Sequence, residues 1–453
     1  MTFSKKMNET IAAIATPQGE AAISIVRLSG IKAYEIALLM SKRAHLKPRY
    51  AHLSKIYTQE NELIDEVILL FFKAPHSFTG EDVVEFQSHG GFSVAFILLE
   101  ELLRYGVRLA NAGEFSKRAY LNDKMSLLKA LHISELIKAK SAFGAKLIAR
   151  NLEGKLQTLL EQMRNDLLKS LAFVETSIDY ADDDLPLNLL KDIQAMCEQN
   201  AKKLEQITSI SKTKKGLIEG FKIAIIGKPN VGKSSLLNAL LSYERAIVSN
   251  TAGTTRDTIE ESLKIGSHLA KIIDTAGIRN SNDTIEQMGI KLSKEAIAKA
   301  DIILAVFDNS RAFDDEDAEI LELVKPFLGD KSEKKVFLLL NKSDLKPKFH
   351  FPKDLSFIKL CTKEPLDELL KALKLYLNSL ESVEFVLPNL ELVHSFEEAS
   401  KALQRAKVLI EENSLELFAF ELHLALDEIA KYTQKIEHGE VLDAMFSHFC
   451  LGK

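Results

Sequence analysis

Lys233 and Ser234 end the run Gly227-Lys228-Pro229-Asn230-Val231-Gly232-Lys233-Ser234, and residues of these types at this spacing can hold a polyphosphate. Gly227 and Gly232 let the backbone curl until successive N–H groups face an anion. A helix starting near Lys233 would present its N-terminus to the same charge. Lys233 would reach the β- and γ-phosphates as a point charge, and Ser234 would place a hydroxyl on Mg²⁺. The expected contacts in this loop are Asn230, Val231, Gly232, Lys233, Ser234 and Ser235.

Two further motifs follow in order. In Asp274-Thr275-Ala276-Gly277, Asp274 can hold the Mg²⁺ shell, and Gly277 offers an N–H that a γ-phosphate can approach closely. In Asn341-Lys342-Ser343-Asp344, the Asp344 carboxylate can accept from the N1–H and exocyclic amine of guanine, a pair that adenine lacks. Lys342 can cover the base and ribose with its stem. Between the first two motifs lies Asn250-Thr251-Ala252-Gly253-Thr254-Thr255-Arg256-Asp257, placed to bring a threonine, Thr255, to Mg²⁺. The residue after Gly277 is Ile278, which cannot orient water as a glutamine would. Hydrolysis then needs another polar group, and Arg256, Arg279, Asp283 and Glu286 are at hand.

Each motif follows an apolar run that reads as a buried strand: Phe221 to Ile226, Lys271 to Ile273, and Val336 to Leu340. Strand and helix alternate from about Gly216 to Leu377, the pattern of a parallel sheet covered on both faces. From the N-terminus to about Asn122 the chain reads as mixed α and β. Strands are expected at Ile23–Leu28 and Val67–Phe72, and a helix from Phe92 to Arg104. From about Met125 to Ile210 the pattern is helical. Leu147, Ile148, Leu152, Leu156, Leu159, Leu160, Met163 and Leu167 recur at spacings of three and four, with a break at Asp182-Asp183-Asp184-Leu185-Pro186. Lys212 to Gly220 reads as a basic connector. After Pro388, Phe396, Ala399, Leu403, Ala406 and Leu409 share one helical face. One helical domain with an α/β domain inserted is the economical arrangement; two separate helical units are the alternative.

At 453 residues the chain implies two to three domains, and 46% hydrophobic with 27% charged residues marks an ordinary globular composition. No apolar stretch is long enough to span a bilayer, and the first residues lack the apolar core of a secretory signal. Cys197, Cys361 and Cys450 lie too far apart for a metal-site spacing, and a reducing cytoplasm fits them. A net charge of -5 neither announces nor excludes nucleic acid. Lys42-Arg43 with Lys47 and Arg49, and Lys212 with Lys214-Lys215, are basic clusters, for which solvated surface or linker charge is the simpler reading.

Over essentially its full length the chain resembles the MnmE (TrmE) family of tRNA modification GTPases, a branch of the TrmE-Era-EngA-like GTPases. The likeness rests on Ala15-Thr16-Pro17, on Ser77-Phe78-Thr79-Gly80-Glu81-Asp82-Val83 through His89-Gly90-Gly91, and on Ala112-Gly113-Glu114-Phe115-Ser116. It continues in Arg118-Ala119-Tyr120-Leu121-Asn122-Asp123-Lys124, in Gly253-Thr254-Thr255-Arg256-Asp257, and in the terminal Cys450-Leu451-Gly452-Lys453. The resemblance implies an α+β folate-binding and dimerisation domain over 1–122 and a helical domain over 123–215 and 378–453. It also implies a Ras-like P-loop GTPase domain over 216–377 inserted between the two helical parts.

It further implies a homodimer with a 5-formyltetrahydrofolate-type ligand contacted by Arg27, Glu85, Lys124 and Lys453, with Cys450 nearby as a candidate for a chemical role. In the GTPase domain it implies K⁺ in place of an arginine finger, held by Asn230, Ser249, Thr251 and Thr254, and Glu286 as the acidic residue that positions or polarises the attacking water through a second water. The cofactors are then GTP, Mg²⁺, K⁺ and a tetrahydrofolate. The partners are tRNA and an FAD-dependent protein of the MnmG (GidA) family, and the pair would add a (carboxymethyl)aminomethyl group to C5 of a wobble uridine. Two segments depart from the family pattern: Cys361-Thr362-Lys363 stands where Ser-Ala-Lys is usual, and Thr433-Gln434-Lys435 where Thr-Gly-Glu is. A ribosome-assembly switch and a folate enzyme acting on a small molecule are the competing classes, and the N-terminal segment with the terminal Cys-Leu-Gly-Lys separates them from the favoured one.

Overall fold

The computed structural model describes residues 9–17, 19–179, 187–213, 216–243, 261–273, 293–329, 332, 334–352, 355–380, 385–387, 389–411, 414–435, 442, 445–447, 449–450 and 452. The chain forms two compact units, one of Met1–Ser134, Gly154–Cys197 and Ala402–Lys453, the other of Glu135–Glu153 and Glu198–Lys401. No helix among the described residues is long and apolar enough to cross a membrane.

The first unit is built on six strands: β1 (Ile11–Ile14), β2 (Ile23–Ser29), β3 (Ala51–Tyr57), β4 (Leu63–Phe72), β5 (Val83–His89) and β6 (Arg108–Leu109). Their order is β3-β4-β5-β2-β1-β6, antiparallel except where β6 runs parallel to β1. Alternate residues of β2, β4 and β5 (Val26, Leu28, Val67, Leu69, Phe71, Val84 and Phe86) point into one core. Helices α1 (Ala33–Ser41) and α2 (Phe92–Arg104) close that face with Ile36, Met40, Leu98 and Leu102. Helix α3 (Glu114–Leu121) carries Glu114, whose carboxylate accepts from Asn111 N at 2.9 Å, Arg108 Nη1 at 3.0 Å and Arg118 Nη2 at 2.9 Å.

Helix α4 (Leu127–Lys138) follows, then α5 (Ser141-capped, Ala142–Asn151), α6 (Lys155–Asp179) and α7 (Leu187–Thr213). The sequence pattern runs unbroken from Leu147 to Leu167, yet the helix stops at Leu152 and a new one starts at Lys155. Gly154 between them has φ +84°, a left-handed conformation that ends a right-handed helix. The spacing Ile148-Leu152-Leu156 conceals this break because both sides keep the same period. Helix α7 also runs on through Lys212, where a connector was expected, and Lys212 pairs there with Glu397.

The second unit holds a short helix, α8 (Gly216–Glu219), then β7 (Phe221–Ile226), α9 (Lys233–Tyr243), β8 (Glu261–Ile265), β9 (His268–Ile273), β10 (Ile302–Asp308), α10 (Asp315–Val324), β11 (Lys335–Asn341), β12 (Ile358–Lys359) and α11 (Asp367–Ser379). The strand order is β12-β11-β10-β7-β9-β8; all pairs are parallel except the β8–β9 hairpin. Every residue of β10 is buried, as expected of a central strand covered on both faces. Strand β7 lies between β9 and β10, so the chain crosses in opposite directions from its two sides. A crevice opens at such a point, beyond the carboxyl ends of the strands, and ligands of open α/β sheets bind there.

Helix α5 joins this unit: Ser141 Oγ donates to Leu217 O at 2.8 Å, and Phe143, Leu147 and Ile148 enter the same core as Phe221, Ile223 and Leu304. Helices α12 (Leu390–Glu411) and α13 (Leu415–Thr433) complete the chain's helical part. Phe396, Ala399, Leu403 and Ala406 are fully buried on α12, as their spacing predicts, while Leu409 of the same face is half-buried.

Two outcomes follow from this packing. Leu304→Ala removes a fully buried side chain from the central strand and should cost about 2–5 kcal/mol in urea unfolding. Burial raises the Glu114 carboxyl, but Arg108, the Asn111 amide and Arg118 outweigh it and hold it below the ordinary value of 4.5. A group depressed on folding stabilises above its unfolded value and loses that contribution as pH falls through the folded one. Thermal stability should therefore drop below pH 4.5, and Glu114→Gln should be less stable at pH 7 with a shallower acid slope.

Candidate functional site

The phosphate loop leaves the carboxyl end of β7 and turns into α9 at Lys233. Lys233 Nζ donates to Gly227 O at 2.7 Å and Lys228 O at 2.8 Å, so the loop winds around its own ammonium. Burial lowers the Lys233 pKa; a phosphate beside it would supply the countercharge. Asn230 sits at φ +64° and Lys342 at φ +63°. Each such non-glycine residue costs about 1–2 kcal/mol, so the surroundings must hold them there.

The Asn341–Asp344 motif supplies that support. Strand β11 ends at Asn341, whose Nδ2 donates to Val231 O at 2.8 Å. Lys342 Nζ donates to Asn230 O at 2.9 Å and to Asp308 Oδ2 at 2.7 Å. Thr362 N donates to Asn341 Oδ1 at 3.3 Å, so the Cys361-Thr362 segment takes part through its backbone. Asp344 stands partly exposed with Lys363 Nζ at 3.1 Å, and that ammonium keeps its carboxyl below the usual range. The carboxylate that would read guanine is thus ionised at neutral pH. At Gly232 the two motifs touch: a Cβ there would lie 2.3 Å from Asn341 Nδ2.

The loop has a second anchor. The Lys228 side chain is 5% exposed and its ammonium meets Asp314 and, at 2.7 Å, Asp317. These two residues form the capping box of α10, in which Asp317 N donates to Asp314 Oδ1 at 3.1 Å. Burial would lower the Lys228 pKa, and the two carboxylates more than reverse it. The Lys228 hydrogen bond depresses Asp314, while burial raises Asp317.

In the first unit Arg27 and Glu85 stand opposite each other on β2 and β5. Arg27 Nε and Nη2 both reach Glu85 Oε1, at 3.0 and 2.9 Å, and Nη1 donates to Gly452 O at 3.2 Å. Cys450 is exposed, and its carbonyl accepts from Gly113 N at 3.4 Å. The Lys124 side chain lies along Gly80, and Asn122 Nδ2 donates to Thr79 O at 2.7 Å. Glu81 accepts from Arg118 Nη1 at 3.0 Å and Ser29 Oγ at 2.7 Å. The Ser77–Val83 and Arg118–Lys124 motifs therefore pack against each other.

The model of the TrmE N-terminus, described as a GTP-binding protein, matches residues 10–124, and that of the MnmE helical domain matches residues 127–450. The chain belongs to the MnmE family of tRNA modification GTPases. It is 60% identical to the tRNA modification GTPase MnmE of Campylobacter jejuni subsp. doylei, over 99% of this chain and 100% of that one. A second relative of that name, from Campylobacter jejuni subsp. jejuni, is 59% identical over the same shares. Among solved structures, Era in complex with MgGDPNP and nucleotides 1506-1542 of 16S ribosomal RNA is 28% identical over 40% of this chain and 66% of its own, with a TM-score of 0.26.

Of the nucleotide-site residues expected for this MnmE-family chain, Asn230, Val231, Gly232, Lys233, Ser234, Ser235, Asn341, Lys342 and Asp344 are described, and Ser234 and Ser235 stand exposed at the start of α9. Ser249, Asn250, Thr251, Ala252, Gly253, Thr254, Thr255, Asp274, Thr275, Ala276, Gly277 and Glu286 lie outside the described residues, as does Lys453. Sequence reasoning missed Asp308, Asp314 and Asp317. Asp308 ends an apolar strand before Asn309-Ser310, and a charge closing such a run was the available signal. Gly232→Ala should break the Asn341–Val231 contact and weaken GDP and GTP binding by about tenfold or more in calorimetry, where tenfold is about 1.4 kcal/mol.

Proposed function

We propose that the protein hydrolyses GTP and couples that hydrolysis to tRNA modification. The observation that carries this reading is the junction of the lysine-centred phosphate loop with the Asn341–Asp344 loop at the carboxyl edge of one parallel sheet. Backbone N–H groups of the loop and Lys233 would bind the β- and γ-phosphates, and Asp344 would accept from guanine. Mg²⁺ supplies charge neutralisation on the phosphates when bound, and Ser234, Thr255 and Asp274 would hold it. Asn230, Ser249, Thr251 and Thr254 would provide oxygen ligands for K⁺. Glu286 would polarise the attacking water in place of the glutamine that Ile278 replaces.

The resemblance and the near full-length relatives support the finer reading. The chain acts as a homodimer in the cytoplasm with an FAD-dependent MnmG-family partner, and the pair adds a (carboxymethyl)aminomethyl group to C5 of a tRNA wobble uridine. GTP hydrolysis drives pairing and separation of the two G domains. Residues 1–122 bind a tetrahydrofolate, 123–215 with 378–453 form the helical domain, and 216–377 form the G domain. Both Arg27 contacts fall on Glu85 Oε1, which leaves Oε2 suited to a pterin amide and amine, with Lys124 and Lys453 suited to carboxylates. Cys450 would stand beside that ligand.

Liquid chromatography of tRNA nucleosides from a deletion strain tests the function; unmodified wobble uridines are expected, and an unchanged profile overturns it. Lys233→Ala and Asp344→Asn should weaken GTP binding in titration. Glu286→Ala should keep binding and slow single-turnover hydrolysis by about 100-fold or more. Exchange of K⁺ for Na⁺ should depress hydrolysis, and indifference to the ion removes the potassium assignment.

A further inference from the structure

Asp308 ends β10, the strand beside β7, and its side chain is 2% exposed. A buried carboxylate needs partners, and here they are specific. Oδ1 accepts from Ser310 N at 2.9 Å and Ser310 Oγ at 2.6 Å, while Oδ2 accepts from Lys342 Nζ at 2.7 Å. Arg311 Nε stands at 3.7 Å on the outside. Asn309 N donates to Asn341 O at 2.9 Å, so the segment after β10 is tied to the base-reading loop by backbone as well.

Lys342 has two ends to satisfy. Its backbone is left-handed, and its ammonium bridges Asp308 and the carbonyl of Asn230, itself left-handed. The carbonyl alone is a neutral acceptor that leaves a long, flexible ammonium chain several rotamers. The buried carboxylate adds charge and a fixed point, and with both ends held the lysine stem spans from the base loop to the phosphate loop. That stem is the surface on which a purine and its ribose would rest.

We propose that Asp308 is a positioning residue for guanine nucleotide recognition, acting through Lys342: it fixes the lysine so that one side chain both forms the floor under the base and holds the Asn230 carbonyl. The inference rests on reading residues 341–344 as the guanine loop, and it adds a residue outside the nucleotide-binding motifs to that site.

A double-mutant cycle tests it. Affinity for GDP is measured by calorimetry on the full chain for wild type, Asp308→Asn, Lys342→Met and the double variant, with melting of the nucleotide-free proteins recorded beside it. Wild-type binding establishes the guanine site itself, so its failure is separate from failure of the inference. Asp308→Asn should weaken GDP binding about tenfold while Lys342 is present, since hydrogen bonds to charged groups carry about 1.5–3 kcal/mol and 1.4 kcal/mol is tenfold. In the Lys342→Met background the same change should move affinity by less than about twofold, because coupled residues are non-additive. Equal losses in both backgrounds, or none in either, overturn the proposal. Wild-type protein gives a second measurement that does not depend on a variant folding. In the nucleotide-free state, amine acylation followed by mass spectrometry should modify Lys342 more slowly than exposed Lys346, and equal rates overturn the proposal.

Discussion

Two carbonyls of the phosphate loop, those of Asn230 and Val231, are fixed from outside the loop, and the rest of the candidate nucleotide site depends on that. A trans peptide is planar, with its C=O and the following N–H pointing in opposite directions. Once Lys342 holds Asn230 O, the N–H of Val231 must face the other way; once Asn341 holds Val231 O, so must the N–H of Gly232. An array of inward amides is therefore set by donors that never touch a phosphate. Left-handed backbone at Asn230 and Lys342 is the conformational cost, and the hydrogen bonds and ion pair between the two loops offset it.

This arrangement explains why the phosphate and base motifs, 110 residues apart at Val231 and Asn341, behave as one element. Parallel pairing brings them together: β10 lies between β7 and β11, and the loops after β7 and β11 meet over its end. Asp308 stands at that end and faces the lysine that spans the gap. Neither motif would be shaped for its ligand if taken out of the sheet. The base loop supplies the donors and the phosphate loop the acceptors, so a distortion of either reaches the other directly.

The strands that precede the motifs of the second unit were legible because they are mostly buried and read as continuous apolar runs bounded by glycine and polar turns. The helix break at Leu152–Gly154 was not, because Ile148 and Leu156 keep the helical period across it and only the Gly154 conformation betrays it. Lys212 read as linker because its partner, Glu397, lies far along the chain. Asp308, Asp314 and Asp317 were missed for the same reason. Ion pairs that span 34, 86 and 89 residues leave no periodicity, and apart from the apolar run that Asp308 closes nothing local distinguishes these acids from solvated ones. Arg27 and Glu85 were named through the resemblance, and their register across β2 and β5 now gives the pairing a geometric basis.

Lys228 shows what a buried charge can do besides stabilise. Taking the Lys228 ammonium and the Asp317 carboxylate out of water is costly, while Asp314 stays half exposed; an apolar residue of similar volume can often serve stability as well. An apolar contact, however, slides, whereas three hydrogen-bonded groups fix direction. The Lys228 ammonium is held by both members of the α10 capping box, so the second residue of the phosphate loop is tied to the first turn of the helix after β10. With Asp308 at the end of β10 holding Lys342, the loop is gripped from two points of the same β10–α10 connection, one ahead of Pro229 and one at Asn230. The capping box would satisfy the helix without Lys228, and Lys342 could reach Asn230 without Asp308. What the acids add is a fixed distance between the central strand and the loop, and a phosphate site built from backbone amides needs that distance held to a few tenths of an ångström, because hydrogen bonds weaken steeply away from their narrow range of length and angle.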